Sequence, residues 1–211
     1  MSLTLIIVIM TSLISYQAFE DPSKKIKLVM HPARVKEFGE VYRFLTSGFV
    51  HSDWMHLLFN MYVLYVIGEQ VETAFLGYFG PGMGRIFFIS LYFGAIIISS
   101  IPSYLKHQDN YGYSGLGASG GTSAIICVYA FFFPWKWFLI PPLPGIFLAI
   151  GFVLYSDYME RKAIDKIGHG AHLWGAAFGI TFIIAISLAF NHQLWQLFIN
   201  QLLQGPSLPS F

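Results

Sequence analysis

One serine and two histidines stand out in this sequence, in segments where polar residues are otherwise scarce. Ser119 lies in the stretch GLGASGG, His172 in HGAHLWGAAFG, and His56 in HSDWMHLLFN, where Asn60 follows four residues later. A hydroxyl paired with an imidazole is the nucleophile and general base of acyl transfer. His56 and Asn60, on one face of a helix, would donate hydrogen bonds to an oxyanion together with the backbone N–H of Ser119. The four residues predict a hydrolytic site.

The composition indicates that this site lies in a membrane. Hydrophobic residues make up 55% of the 211 residues and charged residues 11%, with a mean hydropathy of +0.60, whereas soluble domains carry about 25% charged residues. A net charge of +1 argues against a nucleic-acid-binding surface. The single cysteine, Cys127, excludes a disulfide framework. We therefore predict an all-α, multi-pass membrane protein that contacts the lipid bilayer and binds no nucleic acid.

Apolar runs alternate along the chain with charged or Pro/Gly-rich breaks. About 20 apolar residues are needed for a helix to cross a bilayer, and six runs qualify as predicted spans: Leu3 to Phe19, Trp54 to Phe75, Gly84 to Tyr104, Ser119 to Phe133, Phe138 to Tyr158 and His169 to Phe190. They predict one domain over residues 1–211, a six-transmembrane-helix bundle. The long connection from Glu20 to Asp53 is expected to be structured or functional, and the tail from Gln204 to Phe211 to be frayed.

The fourth predicted span is too short to cross the bilayer alone. A helix from Ser119 to Phe133 covers about 22 Å of a hydrocarbon core about 30 Å thick. The preceding glycine-rich segment must supply the missing length, and irregular backbone at that depth has to be buried or to line a water-filled cavity. Ser119 is therefore predicted below the membrane surface, at a helix N-terminus that can stabilise an anion.

The sixth predicted span carries small residues that would bring His172 close to Ser119. Ala171, Gly175 and Gly179 form a stripe that lets this helix approach a neighbour closely, and the glycines around Ser119 offer that neighbour. If the two faces meet, serine and histidine come within hydrogen-bond reach. No carboxylate lies near enough in these spans to be a third member, so the prediction is a Ser/His dyad.

Each of these residues also has a purely structural interpretation. Ser119 and its glycines could serve helix packing, His172 could be an interhelical hydrogen-bonding residue, and His56 with Asn60 could clamp the second span to the glycine-rich loop. Two other chemistries were weighed: a metal site on His169 and His172, which lacks carboxylate ligands, and a soluble hydrolase with a nucleophile elbow at Gly117 to Gly121, which needs a parallel sheet. No metal and no cofactor are expected.

In combination, the three motifs resemble the rhomboid family of intramembrane serine proteases. The resemblance rests on H-x4-H-x3-N, G-x-S-G and A-H-x-x-G-x-x-x-G, in this order, and covers the chain from Tyr42 to Gly179. It implies that Ser119 is the nucleophile and His172 the base, that His56 and Asn60 stabilise the oxyanion, and that Gly117 contributes to the turn. It also matches His51 to a further histidine, a possible accessory residue.

Four more positions are compared with the family pattern. Glu72 resembles a structural acid of the second helix, and Arg43 the arginine of a Trp-Arg pair in the first loop. Tyr42 replaces the tryptophan of that pair, and Ser123 stands where many bacterial members have a tyrosine that packs on the catalytic histidine. We therefore expect weaker anchoring of the loop and a less rigidly held His172.

The activity implied by the resemblance is peptide hydrolysis in or near the transmembrane helix of a single-span substrate, by a serine endopeptidase. The alternative is a non-catalytic rhomboid-like protein that binds membrane-protein substrates without cutting them. The fifth span, beginning at the sequence PPLPG (Pro141 to Gly145), is interpreted as a moving gate, and the loop from Met159 to Gly168 as a cap over the site.

Two signals disagree about orientation in the membrane. All Lys and Arg residues except Arg85 and Lys136 lie on the first, third and fifth connections, and the positive-inside rule then turns the mouth of the site toward the cytoplasm. The resemblance to six-span bacterial members implies the bacterial cell (inner) membrane and the opposite orientation, which is the one we favour.

Overall fold

The structure is a computed structural model and describes residues 1–139, 142–162 and 168–206, apart from the side chains of Leu139 and His169. The described part is mostly helical. Its α-helices are α1 (Leu3–Glu20), α2 (Pro22–Leu28), α3 (Pro32–Phe38), α4 (Arg43–Thr46), α5 (Trp54–Val63), α6 (Glu69–His107), α7 (Ser119–Phe132), α8 (Gly145–Lys162), α9 (His169–Phe190) and α10 (Gln193–Gln204). A 3₁₀ turn (Ser47–Phe49) precedes α5, and a π-helical segment (Leu64–Gly68) joins α5 to α6.

The predicted second and third spans form one hydrogen-bonded stretch that reverses direction at Gly80. This glycine has a φ of 77° and a ψ of 166°, which no helix allows. A Cβ atom at Gly84 would lie 2.6 Å from the carbonyl oxygen of Phe75. That approach requires the chain to fold back on itself, so α6 consists of two arms packed side by side.

The membrane prediction is confirmed, whereas the count of six spans is not. Within the described ranges, three stretches are long and apolar enough to cross a membrane: Leu3–Glu20, Trp54–His107 and Gly170–Phe190. The second of them contains both arms of the reversed stretch. The helix α7 is apolar but shorter, with 14 residues.

The fifth predicted span was placed wrongly at its start. Trp137–Leu139 (β1) pairs in antiparallel fashion with Pro142–Pro144 (β2), and α8 begins only at Gly145. Proline lacks an N–H to donate, but it fits a two-stranded sheet, in which both strands are edges. The expected gate sequence and the expected cap, Met159 to Gly168, lie partly outside the described residues, as does most of the tail.

The helix α7 forms the centre of the protein, with every residue from Gly120 to Phe132 buried. It packs against α6 on one side and α9 on the other. A Cβ at Gly175 would lie 2.2 Å from the backbone oxygen of Gly120, and one at Gly179 would lie 2.7 Å from the Cα of Ala124. The predicted close approach of the sixth span is confirmed. Residue numbers increase along both helices from the first contact to the second, so α7 and α9 run parallel.

The first connection is folded, as predicted, and several of its charged groups are paired. Arg43 is buried and donates to the carbonyl oxygens of Ile26 and Val29 at 2.9 and 2.7 Å, and to Glu40 at 2.6 Å. Arginine hydrogen bonds of this kind hold separate turns of a loop together. The expected weak anchoring is therefore not observed around Arg43.

Candidate active site

The loop that precedes Ser119 is attached to the first connection by main-chain hydrogen bonds. Met30 and Gly115 each donate to the other's carbonyl oxygen at 2.9 Å, forming an isolated antiparallel bridge. Two residues on, the N–H of Gly117 donates to the carbonyl oxygen of Ser47 at 2.9 Å. The approach of the chain to Ser119 is therefore fixed by backbone groups, whatever side chains the loop carries.

His51 continues this attachment with its side chain. Its Nε2 accepts from the N–H of Ala118 at 3.2 Å, and its Nδ1 lies 2.9 Å from the hydroxyl of Ser15, which itself donates to the carbonyl oxygen of Phe49. The hydroxyl has one proton, so Nδ1 must be the donor to Ser15. Burial, and then the neighbouring His56, lower the pKa of His51. His51 is a neutral, fully buried imidazole that supports the residue before Ser119.

Ser119 lies in the wall of an open cavity of about 580 Å³. Three predicted site residues, His56, Gly117 and Ser119, line this cavity, and Ala171, next to His172 on α9, lines it as well. Three serines of α6 extend its polar lining: Ser99, Ser100 and Ser103. Toward the loop side the lining continues to Lys106, His107 and Tyr113. Because the cavity is open and partly polar, it can hold water beside Ser119.

His56 lies against Gly117, at the cavity wall. A Cβ at Gly117 would lie 2.7 Å from Cε1 and 2.9 Å from Nε2 of the imidazole, and the φ of Gly117 is 112°. On the other edge of the ring, Nδ1 is 3.0 Å from the hydroxyl of Ser52, which donates to Asp53 at 2.6 Å. Nδ1 therefore carries the proton that Ser52 accepts. The inner nitrogen, Nε2, carries a proton only when the ring is a cation.

Asn60 connects α5 to α7. It is 3% exposed, its Nδ2 donates to the carbonyl oxygen of His56 at 2.9 Å, and its Oδ1 accepts from the hydroxyl of Thr122 at 3.0 Å. One N–H of the amide remains for another acceptor. The geometry therefore accommodates both interpretations of Asn60, a clamp between helices and an oxyanion donor.

His172 is contacted by α8. Its Nδ1 lies 3.4 Å from the hydroxyl oxygen of Ser156, and the ring of Phe152 lies 5.5 Å from its ring, centroid to centroid, at 32°. Ser123, at the position of the family's tyrosine, is buried and donates to the carbonyl oxygen of Ser119 at 2.5 Å. Contacts from Ser156 and Phe152 of α8 thus restrain the imidazole of His172.

Ser119 and His172 lie at the same end of the seam between α7 and α9. Gly120 is in backbone contact with Gly175, and His172 precedes Gly175 by about one helical turn. Because the two helices are parallel, a step toward the N-terminus from this contact approaches the beginning of both α7 and α9. Ser119 is the first residue of α7, and His172 lies in the first turn of α9.

Sequence reasoning did not identify Thr122 or Ser156 as site residues. Both are small polar residues inside apolar helices, and each contacts a predicted site residue, Asn60 and His172 respectively. The signal that the sequence offered for both residues was a small hydroxyl side chain within an apolar helical run. Among the side chains that the structure describes, no cluster of three metal-ligating residues occurs. The alternative metal site used His169 and His172, and the side chain of His169 is not among those described.

Comparison with known proteins gives the following matches. A family model described as the rhomboid domain matches residues 38–189. RHOMBOID-like protein 12, mitochondrial, of Arabidopsis thaliana is 30% identical over 159 residues, which cover 66% of this chain and 44% of that protein. Presenilin-associated rhomboid-like protein A, mitochondrial, of Danio rerio is 28% identical over 158 residues, covering 70% of this chain and 37% of that protein.

A third relative carries the word protease in its name. Rhomboid-like protease 5 of Toxoplasma gondii is 21% identical over 182 residues, which cover 85% of this chain and 20% of that protein. The alignments thus span less than half the length of each of these three relatives.

Proposed function

Because this chain belongs to the rhomboid family, we propose that it is an intramembrane serine endopeptidase. In this proposal Ser119 and His172 form a catalytic dyad that hydrolyses peptide bonds in or near transmembrane helices of other membrane proteins. The observation that carries the proposal is the cavity at the start of α7. It joins Ser119, His56, Gly117 and the first turn of α9 at one polar opening in an otherwise apolar protein.

The proposed reaction begins with His172 as general base. Its Nε2 takes the hydroxyl proton of Ser119, whose oxygen attacks the scissile carbonyl, and the imidazolium then returns the proton to the leaving amine. Water that enters through the polar side of the cavity hydrolyses the acyl-enzyme. The serines of α6 along that side offer hydrogen bonds to such water.

In this proposal three donors stabilise the oxyanion. The backbone N–H of Ser119 belongs to the unpaired first turn of α7, where the helix dipole favours negative charge. Asn60 contributes its remaining amide N–H. His56 donates from Nε2 when its ring is protonated, because Nδ1 already faces the hydroxyl of Ser52.

A substrate helix has to unwind locally to reach this cavity, so small or helix-breaking residues are expected near the cut. In the proposed arrangement the chain crosses the membrane six times, and the loop before Ser119 enters the bilayer from one side. The helix α8 acts as the gate between the lipid and the cavity.

The second candidate function is binding of membrane proteins without cleavage. The observation that favours it is Asn60, whose hydrogen bonds to His56 and Thr122 account for its burial without any role in chemistry. A non-catalytic protein would keep these contacts and the cavity, and would tolerate the loss of the Ser119 hydroxyl.

The test is cleavage of a generic single-span substrate by the protein reconstituted in liposomes. The wild type is compared with Ser119→Ala and His172→Ala, and with Gly151→Ala as a control, because a Cβ at Gly151 meets no other atom within 4 Å. We expect both dyad variants to lose at least about a thousandfold in rate, as removal of a nucleophile or its base does. We expect the control to match the wild type.

Labelling with a fluorophosphonate separates the two candidate functions. An activated serine reacts covalently with this probe, and the Ser119→Ala variant should not. Cleavage by Ser119→Ala at the wild-type rate would refute the dyad. A wild type that neither cleaves nor reacts, but is retained with the substrate, would establish the binding function instead.

The proposed location is a membrane that the protein crosses several times. The expectation of a bacterial inner membrane gains no support from the relatives above, two of which are mitochondrial by name. Cysteine labelling of the first connection from either side of sealed vesicles tests the favoured orientation. Labelling from the cytoplasmic side alone would reverse it.

A further inference from the structure

A polar side chain of α8 contacts the proposed base. Ser156 is completely buried, and its hydroxyl oxygen lies 3.4 Å from Nδ1 of His172. Phe152 lies one turn earlier on the same face of α8, and its ring lies beside the imidazole. Glu160 lies one turn later and accepts from the N–H of Gly170 at 2.7 Å. One face of α8 therefore holds the first turn of α9 at three successive levels.

The contact at Nδ1 matters because a neutral imidazole base carries a proton on one ring nitrogen and none on the other. In the proposed reaction Nε2 of His172 must be unprotonated to receive the proton of Ser119, so Nδ1 must carry a proton in the resting state. A proton on a buried Nδ1 needs an acceptor, and a hydroxyl oxygen provides one. Ser156 is the group that meets this need.

We propose that Ser156 is a positioning residue, whose hydroxyl oxygen accepts from Nδ1 of His172 and so fixes the tautomer and the direction of the base. This inference rests on the proposed function. In soluble serine hydrolases a carboxylate has this position. A neutral hydroxyl avoids the cost of burying a charge in an apolar bundle.

The position of α8 therefore controls the orientation of the base. The base is oriented only while Ser156 remains within reach of Nδ1, which depends on the packing of α8 against α9. Phe152 restricts rotation of the imidazole from its flat side, and Glu160 holds the start of α9 in register with α8.

The test compares Ser156→Ala with Ser156→Thr, which restores a hydroxyl, in the full-length protein. The matched control is Ser187→Ala, another completely buried serine, which lies on α9 about four turns from His172 and bonds only within its helix as far as described. Three readouts are taken: kcat and KM for a single-span substrate, the rate of labelling by a fluorophosphonate, and the melting temperature.

We expect Ser156→Ala to lower kcat and the labelling rate about tenfold, a part of what a general base contributes. KM should stay within about twofold, because only the orientation of the base is lost, and the melting temperature should fall only slightly, as after the loss of one hydrogen bond. Ser156→Thr should regain most of the rate, and Ser187→Ala should behave as the wild type.

Three results would overturn the inference: a wild-type rate in Ser156→Ala, equal losses in the alanine and threonine variants, or the same loss in Ser187→Ala. These results differ from a failure of the proposed function. If Ser119→Ala is inactive while Ser156→Ala is fully active, only the role of Ser156 is wrong. If the wild type neither cleaves nor reacts with the probe, the dyad and the role of Ser156 are both refuted.

Discussion

The two sides of the cavity are held in different ways. On the serine side, the chain before Ser119 is attached through backbone groups of Gly115, Gly117 and Ala118 to the first connection. On the histidine side, His172 is held by side chains of α8 and by the close packing of α9 on α7. The serine side should therefore tolerate most side-chain changes in its loop, whereas the histidine side should respond to single substitutions on α8 and α9.

Among substitutions of supporting residues, the largest effect is expected on the histidine side, from Gly175→Ala. The new Cβ would lie 2.2 Å from the carbonyl oxygen of Gly120, and a backbone atom cannot move aside without shifting a helix. Overpacking of this kind costs about 1–3 kcal/mol, and a displacement of about 1 Å in a catalytic site costs about a hundredfold in rate. Cleavage rates and melting temperatures test this, with Gly151→Ala as the control. Unchanged activity would mean that the seam between α7 and α9 does not position the base.

The next largest effect is expected on the serine side, at Gly117, where an added side chain would collide with His56. Gly117→Ala places a Cβ 2.7 Å from Cε1 of His56 and forces alanine into a φ of 112°. Such backbone strain costs about 1–3 kcal/mol, and displacement of His56 should reduce kcat at least about tenfold. Gly112→Ala in the same loop is the control, since its Cβ meets only the side chain of Asn110, at 3.3 Å. Equal behaviour of the two variants would contradict the role given to Gly117.

The buried imidazole of His51 predicts a pH dependence of stability. Burial lowers its pKa in the folded protein below the ordinary value of 6.5, so the unfolded chain takes up a proton first. This contribution to stability is complete above about pH 6.5 and is lost as the pH falls toward the lower, folded pKa. At pH 5 the loss should be about 2 kcal/mol.

His51→Phe provides the comparison for this measurement. The variant lacks the titrating group, so its free energy of unfolding should fall less between pH 7 and pH 5 than that of the wild type. At pH 7 it should already be less stable by about 1–3 kcal/mol, because the N–H of Ala118 loses its acceptor. Parallel pH curves for the two proteins would show that His51 is not held neutral.

The smallest effect is expected between the two sides, from Thr122→Val. The substitution keeps the shape of the side chain. It removes the hydroxyl on α7 that donates a hydrogen bond to Asn60 on α5. A single hydrogen bond of this kind contributes about 1 kcal/mol, so we expect a small fall in melting temperature and a rate reduced severalfold at most. A loss as large as that of the dyad variants would assign Asn60 and Thr122 a direct part in the chemistry.

The apolar helices of this fold were predictable from the sequence because their boundaries are chemically sharp. Polar or proline residues bound the runs that became α1, α7 and α9, and α7 and α9 begin at the predicted residues, Ser119 and His169. Only the start of the fifth predicted span was misassigned. Proline does not fit a helix interior, and Pro142–Pro144 pairs with Trp137–Leu139 instead, so that α8 begins at Gly145. The helix α10 was not predicted, since its amphipathic pattern is short and uncharged.

The candidate site was predictable in its residue types but not in its supporting contacts. Spacing identified Ser119, His172, His56 and Asn60, since their chemistry is unusual in apolar surroundings. The contact of Ser156 with His172 depends on how two helices pack, and no local pattern reports packing. The same holds for His51, whose partners, Ser15 and Ala118, lie far apart in the chain.

The start of α1 has a consequence for work with this protein. The carboxylate of Glu72 accepts from the N–H groups of Leu3 and Thr4 and from the Thr4 hydroxyl, and Ser15 further along the helix contacts His51. Helix α1 thus links a carboxylate on α6 mechanically to the residue before the nucleophile. A change that displaces Leu3 and Thr4 from Glu72 should therefore loosen the support of the nucleophile through about three turns of α1.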